Sequence, residues 1–160
     1  MRVLAIGSGG VGTSAALIAK RREFFELWVC ADYDLSRSQA LADRVGDPRF
    51  VAARIDAANT NEITAMCRQH GITHVLNVID PRYVMPIFDG AFAAGANYLD
   101  TAMSLSRPHP TLPHEQVGVM LGDEQFTKAG EWQDAGLLAL CGVGVEPGLS
   151  DIFARYAADH

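Results

Sequence analysis

The chain has 160 residues, 49% of them hydrophobic, which suffices for one buried core and one domain. A formal net charge of −6, with no basic cluster to offset it, argues against a nucleic-acid-binding surface. No apolar run approaches membrane-spanning length, and three scattered cysteines (Cys30, Cys67, Cys141) suggest reduced thiols in a cytoplasmic protein, without a disulfide frame or metal site.

An apolar strand is expected over residues 2–6, running directly into Gly7-Ser8-Gly9-Gly10-Val11-Gly12. A helix follows from near Val11 through Ala15, Leu17 and Ile18, and Lys20, Arg21 and Arg22 complement its carboxyl end. The second strand, residues 27–31, closes on Asp32, and a helix over 35–45 is stopped by Gly46 and Pro48. A third strand, 50–55, ends on Asp56. Asn59 three residues before Glu62 resembles a capping box, after which Ile63, Met66, Cys67 and His70 repeat at helical spacing until Gly71.

The fourth strand is placed at 73–79, and Pro81 turns the chain into a helix whose apolar face is Val84, Ile87, Phe88 and Ala91. A short strand over 97–100 ends on Asp100. Residues 101–122 break the pattern, with Pro108, Pro110 and Pro113 in a polar stretch that reads as loop. One helix over 123–134, a strand over 137–141, a glycine-rich turn over 142–148 and a helix with Leu149, Ile152, Phe153 and Tyr156 on one face complete the chain. Apolar strands alternating with amphipathic helices imply an α/β fold, a doubly wound parallel sheet of the Rossmann type. Residues 1–143 form that domain, and 144–160 a turn and helix leading out of it.

In such a fold ligands lie beyond the carboxyl ends of the strands. Gly-x-Gly-x-x-Gly between a strand and a helix, with a carboxylate 20 positions past Gly12, therefore points to a dinucleotide. Gly7 permits the tight turn, Gly9 lets the backbone approach the pyrophosphate, and Gly12 lets the helix lie against the strand. Ser8, Gly10 and Val11 complete the anion-binding turn at the helix amino end. Asp32 is assigned to the adenine ribose, with Tyr33 beside it; its charge repels a 2′-phosphate and favours NAD. Arg37 opens the next helix, within reach of such a phosphate, and leaves NADP open. Asp56 stands where it could reach the adenine edge or cap a local turn. Asn77, Val78, Ile79 and Asp80 run under the nicotinamide half, although Asp80 beside Pro81 also fits a plain turn.

His109 and His114 have no companions at ligand spacing, so no zinc site is expected. Cys141 ends a strand at the presumed cleft, where it serves either as a substrate contact or as a small hydrophobe. Glu146, Pro147 and Gly148 form a turn that a simple hinge explains only in part.

On these residues the chain resembles the saccharopine dehydrogenase family, in the branch that includes carboxynorspermidine and homospermidine synthases. The likeness rests on the first glycine motif, on Ala94-Gly95-Ala96-Asn97-Tyr98-Leu99-Asp100-Thr101, and on Ala135-Gly136 leading through Cys141 to Gly144-Val145-Glu146-Pro147-Gly148. The family's closing turn is Gly-x-Asp-Pro-Gly; here Glu146 replaces the aspartate, which keeps the charge at a longer reach. The resemblance implies NAD(P)-linked hydride transfer at an imine or amine carbon of an amino-acid-derived substrate. Asp100 and Cys141 at strand ends and Glu146, Pro147 and Gly148 in the closing turn are the candidate substrate contacts, and the resemblance implies most other contacts from a following domain; the sequence leaves the oligomeric state open, a homodimer among the candidates. No residue stands out as the catalytic acid or base. The rival readings are a polyamine enzyme of the carboxynorspermidine or homospermidine synthase type and a nucleotide-sensing regulatory module on the same fold.

Overall fold

The computed structural model describes residues 1–160. Its six strands are β1 (Arg2–Ile6), β2 (Leu27–Asp32), β3 (Phe50–Arg54), β4 (His74–Asn77), β5 (Asn97–Asp100) and β6 (Ala139–Leu140). All pair in parallel, in the order β3-β2-β1-β4-β5-β6. The order reverses between β1 and β4, which opens a crevice at their carboxyl ends.

Alternation along the strands divides the core into two layers. Val3 and Ala5 of β1 face one layer with Ala16, Trp28, Leu41 and Phe50. That layer is covered by α1 (Gly10–Ala19) and α2 (Leu35–Val45). Leu4 and Ile6 face the other layer, which holds Val29, Ile63, Val75, Phe88 and Tyr98 under α3 (Thr60–His70) and α4 (Val84–Ala94). Each fully buried aliphatic side chain contributes about 2 kcal/mol by leaving water. The sheet is thus doubly wound, of the Rossmann type.

Local chemistry sets the boundaries. Asp34 caps α2 by accepting from the Ser36 amide, and Gly46 ends it in the left-handed region at φ 61°. Asn59 accepts from the amides of Asn61 and Glu62 at the start of α3. The reciprocal half of the expected box is absent, because Glu62 Oε1 takes the Asp56 amide at 3.1 Å instead. β4 is shorter than expected: the Asn77 side chain accepts from the Ile79 amide at 3.2 Å, which ends the ladder. β6 is likewise reduced to two residues, since Asn97 Oδ1 takes the Leu138 amide at 2.9 Å.

The single helix expected over 123–134 is two, α5 (Asp123–Phe126) and α6 (Ala129–Asp134). The Thr127 hydroxyl donates to the Glu124 carbonyl and the Lys128 amide to the Gln125 carbonyl, tightening the chain out of α-geometry. Residues 101–122 carry no helix or strand, only an antiparallel bridge between Arg107 and Val119. The last helix, α7 (Leu149–Asp159), leaves its apolar face uncovered: Ile152, Phe153 and Tyr156 are exposed. No helix is long and apolar enough to cross a membrane.

Candidate cofactor site

The crevice is built around the turn between β1 and α1. Gly7 has φ 115°, a conformation that side chains disfavour, and a Cβ there would lie 3.1 Å from the Val78 carbonyl oxygen. Gly12 lies flat on the same turn, where a Cβ would overlap the Gly7 carbonyl oxygen. These two glycines let α1 start against the strand ends. Gly9 is the N-cap of α1 and offers no side-chain bond, so the first amides of the helix have neither an intrahelical acceptor nor a side-chain cap.

Asp32 ties this turn to the end of β2. Its Oδ2 accepts from the Ser8 amide at 2.9 Å and its Oδ1 from the Asp34 amide at 3.1 Å. Both oxygens keep a further lone pair for a ligand hydroxyl. Arg37 Nη1 stands 3.9 Å from Asp32, on a side chain 57% exposed. The Ser8 hydroxyl is buried without a partner. A cleft of about 350 Å³ brings together Gly7, Asp32, Tyr33, Arg37, Asp56 and Ile79. Arg54 lies over the Tyr33 ring at 4.9 Å and holds it at the rim. Asp56 takes the Ala58 amide at 3.0 Å, so the local turn occupies one of its oxygens.

The residues expected under the nicotinamide half lie at the end of β4 and just beyond it. Val78 packs against Gly7 and Gly12. Asn77 is buried under the crevice, its Nδ2 donating to the Tyr98 hydroxyl at 3.0 Å. Asp80 turns away to cap the short helical turn Pro81–Tyr83, and the Arg82 guanidinium bound to it holds its carboxyl below the usual range.

Asp100, expected at the substrate, is 1% exposed and serves as a buried hub. It accepts from the Tyr98 hydroxyl at 2.9 Å, from Gln125 Nε2 at 2.8 Å and from the Gly142 amide at 2.6 Å. Burial raises its carboxyl above the ordinary range, against the pull of those three donors. Cys141 is half-buried, and Gln125 Nε2 lies 3.3 Å from its sulfur. Burial, then the Asp100 charge, pushes its thiol up to about 12, so it is protonated at neutral pH. Glu146 is exposed, while Pro147 and Gly148 are half-buried in a turn closed by the Gly144 amide donating to the Pro147 carbonyl at 2.9 Å. The Asp100–Gly142 bond fastens this turn to the end of β5. No three His, Cys, Asp or Glu side chains converge as a metal ion requires.

Sequence reasoning missed Ile55, Ala57, Ala58 and Tyr83, which line the main cleft, and Thr13 and Arg44, which line a second one of about 250 Å³ beside Ser8 and Arg37. The two small residues after Asp56 were the readable signal, since they leave room at the end of β3. Arg44 stands two turns along α2 from Arg37 and gave none.

Comparison with known proteins agrees with this geometry. The family model of the saccharopine dehydrogenase NADP binding domain matches residues 3–140. Carboxyaminopropylagmatine dehydrogenase from Synechocystis is 28% identical over 159 residues, covering 99% of this chain and 38% of that protein. Carboxynorspermidine synthase from Vibrio alginolyticus is 23% identical, covering all of this chain and 40% of the other. The chain therefore spans about two fifths of the length of these relatives. Among solved structures, apo saccharopine dehydrogenase (L-Glu forming) from Saccharomyces cerevisiae superposes with a TM-score of 0.73 at 18% identity, over 99% of this chain and 30% of that one. A UDP-glucose-4-epimerase from Stenotrophomonas maltophila with bound NAD superposes at 0.54, over 85% of this chain and 48% of that one.

Proposed function

Because the chain belongs to the saccharopine dehydrogenase NADP binding domain family, we propose that it holds a nicotinamide dinucleotide for hydride transfer at a carbon–nitrogen centre. The observation that carries this reading is the uncapped start of α1, lying against two crowded glycines and keyed to Asp32 at the point where strand order reverses. The diphosphate lies on the first amides of α1, where the helix dipole and free N–H groups meet its charge. The Ser8 hydroxyl, buried and unpartnered, fits a phosphate oxygen as acceptor. Asp32 takes the ribose hydroxyls, and the nicotinamide extends past Val78 and Ile79. When bound, the cofactor supplies the hydride; the residues of this chain orient it and keep one face toward substrate.

The substrate is an amino-acid-derived imine, reduced to a secondary or primary amine. Residues 144–160 lead from the cofactor domain toward a substrate region, and the bare apolar face of α7 is consistent with that role. A second reading, a polyamine-pathway reductase, is favoured by two relatives whose names carry carboxyaminopropylagmatine and carboxynorspermidine.

Asp32 makes NAD the preferred cofactor, since a 2′-phosphate would meet its charge. Arg37 and Arg44 line a second cleft, beside Ser8, where that phosphate could be received instead. Calorimetric titration with NADH and NADPH tests the balance. NADH should bind more tightly to the native chain, and Asp32→Ala should narrow the gap by about tenfold. Equal affinity of the native chain for both cofactors would defeat the assignment of Asp32.

A further inference from the structure

Between the crevice and the turn at residues 142–148 runs a chain of buried side chains whose hydrogen-bond directions are all determined. Three backbone amides, which can only donate, fix them. The Ile79 amide donates to Asn77 Oδ1 at 3.2 Å, so the Asn77 NH₂ group must face the other way. There Nδ2 meets the Tyr98 hydroxyl at 3.0 Å, and that oxygen accepts. The Tyr98 proton is left for Asp100 Oδ2, at 2.9 Å. On the far side the Ser104 amide donates to Gln125 Oε1 at 2.9 Å, which turns Gln125 Nε2 onto the same Asp100 oxygen at 2.8 Å. The Gly142 amide closes the set on Asp100 Oδ1 at 2.6 Å. Reversing any one side chain would set donor against donor.

Asn77, Tyr98, Asp100 and Gln125 are all buried, so water does not replace a lost partner. The Tyr98 ring is itself clamped: Phe88 of α4 meets it edge-on at 5.2 Å, and Trp132 of α6 lies at 6.3 Å. Its hydroxyl is a fixed point beneath the end of β4. What hangs from that point is the backbone of the crevice. The Val78 amide still bonds to the Ile6 carbonyl at 3.1 Å; after it the chain leaves the ladder, and the Asn77 side chain sets where the Ile79 amide points. Ile79 lies against Gly7 and lines the main cleft with Asp32. A small shift of this segment would therefore reach the glycine turn.

We propose that Tyr98 is a positioning residue for the nicotinamide half of the cofactor: through Asn77 it fixes the Val78–Ile79 backbone past which that half extends. Tyr98 acts two hydrogen bonds away from the Ile79 amide, and Asp100 anchors it from below. The adenosine half, assigned to Asp32 and the start of α1, shares no bond with this chain of side chains. The proposal rests on the reading above that a dinucleotide occupies the crevice.

The test compares NADH with ADP-ribose, which carries the diphosphate and adenosine but no nicotinamide. Both are titrated into the native chain, Tyr98→Phe and Gln125→Leu, and the thermal unfolding of each protein is recorded. The native chain should bind NADH at least about fivefold more tightly than ADP-ribose. Tyr98→Phe keeps the ring packing but strands Asn77 Nδ2; it should remove most of that advantage and leave ADP-ribose affinity unchanged. Gln125→Leu breaks the same network at a side chain that does not bond to Asn77. It should lower the melting temperature at least as far, yet keep the NADH advantage. Asn77→Ala, which frees the Ile79 amide directly, should reproduce the selective loss even if Tyr98→Phe fails to fold. A purely structural role for Tyr98 moves both ligands together or neither. Equal losses for NADH and ADP-ribose, an intact NADH advantage in Tyr98→Phe or Asn77→Ala, or the same selective loss in Gln125→Leu would overturn the proposal. Equal affinity of the native chain for the two ligands refutes this proposal and leaves the cofactor reading standing, whereas binding of neither refutes the cofactor reading and this proposal with it.

Discussion

Gly12→Ala should weaken NADH binding at least a hundredfold, about 2.7 kcal/mol, and destabilise the fold by about 2 kcal/mol. The added methyl would overlap the Gly7 carbonyl oxygen and meet Val78 Cγ2 at 3.4 Å. The carbonyl belongs to backbone held by the Gly7 amide's own bond to Ala31 at 2.8 Å, so it cannot yield as a side chain would. The start of α1 must back away from β1, and its free amides then leave the position a diphosphate needs. Gly130→Ala is the control: nothing lies within 4 Å of its added Cβ, in α6. It should leave NADH affinity unchanged and raise stability by about 0.5 kcal/mol. Isothermal titration and thermal unfolding read both effects.

Asp100→Ala should cost about 3 kcal/mol and lower the melting temperature by about 10 °C. The substitution strands the Gly142 amide outright and takes an acceptor from Tyr98 and Gln125. Asp100→Asn is nearly isosteric yet must set an NH₂ group against one of those donors, so it should recover only part of the loss. Neither variant keeps a titrating group at this position, so both separate from the native chain by pH. Burial raises the folded carboxyl above its unfolded value, so the folded state binds the extra proton between the two. The Asp100 contribution is therefore fully present below the unfolded pKa, about 4, and declines as pH rises through the folded value. Asp100→Ala and Asp100→Asn should both abolish that decline. Because Asp100 fastens the 142–148 turn, both variants should also loosen the start of α7, seen as faster amide exchange at Leu149 and Ser150, whose amides bond to Gly144 and Val145.

The layered α/β sheet could be read from the chain because its signals are local. Apolar runs such as residues 27–31 and helical repeats such as Ile63–Met66–Cys67–His70 each lie within one element. The glycine turn and Asp32 were readable for the same reason, since the motif is short and its partner stands at a fixed distance. Long-range hydrogen bonds were not. The hub at Asp100 draws on Gln125 and Gly142, 25 and 42 residues away, and no periodicity announces such a meeting. Asp100 consequently reads in sequence as an acid at a strand end facing ligand, whereas in the fold it is closed to solvent. Side chains that replace backbone partners had the same effect on boundaries. Asn77 and Asn97 cut β4 and β6 short in ways that strand propensity does not register.

Soaking crystals of the chain with NAD most directly tests whether a cofactor diphosphate rests on the opening amides of α1. Density should show its oxygens bonded there, the Ser8 hydroxyl turned toward them, and both ribose hydroxyls on Asp32. Density for the dinucleotide elsewhere, or an empty crevice with Arg37 folded across Gly9 at saturating NAD, would contradict the account.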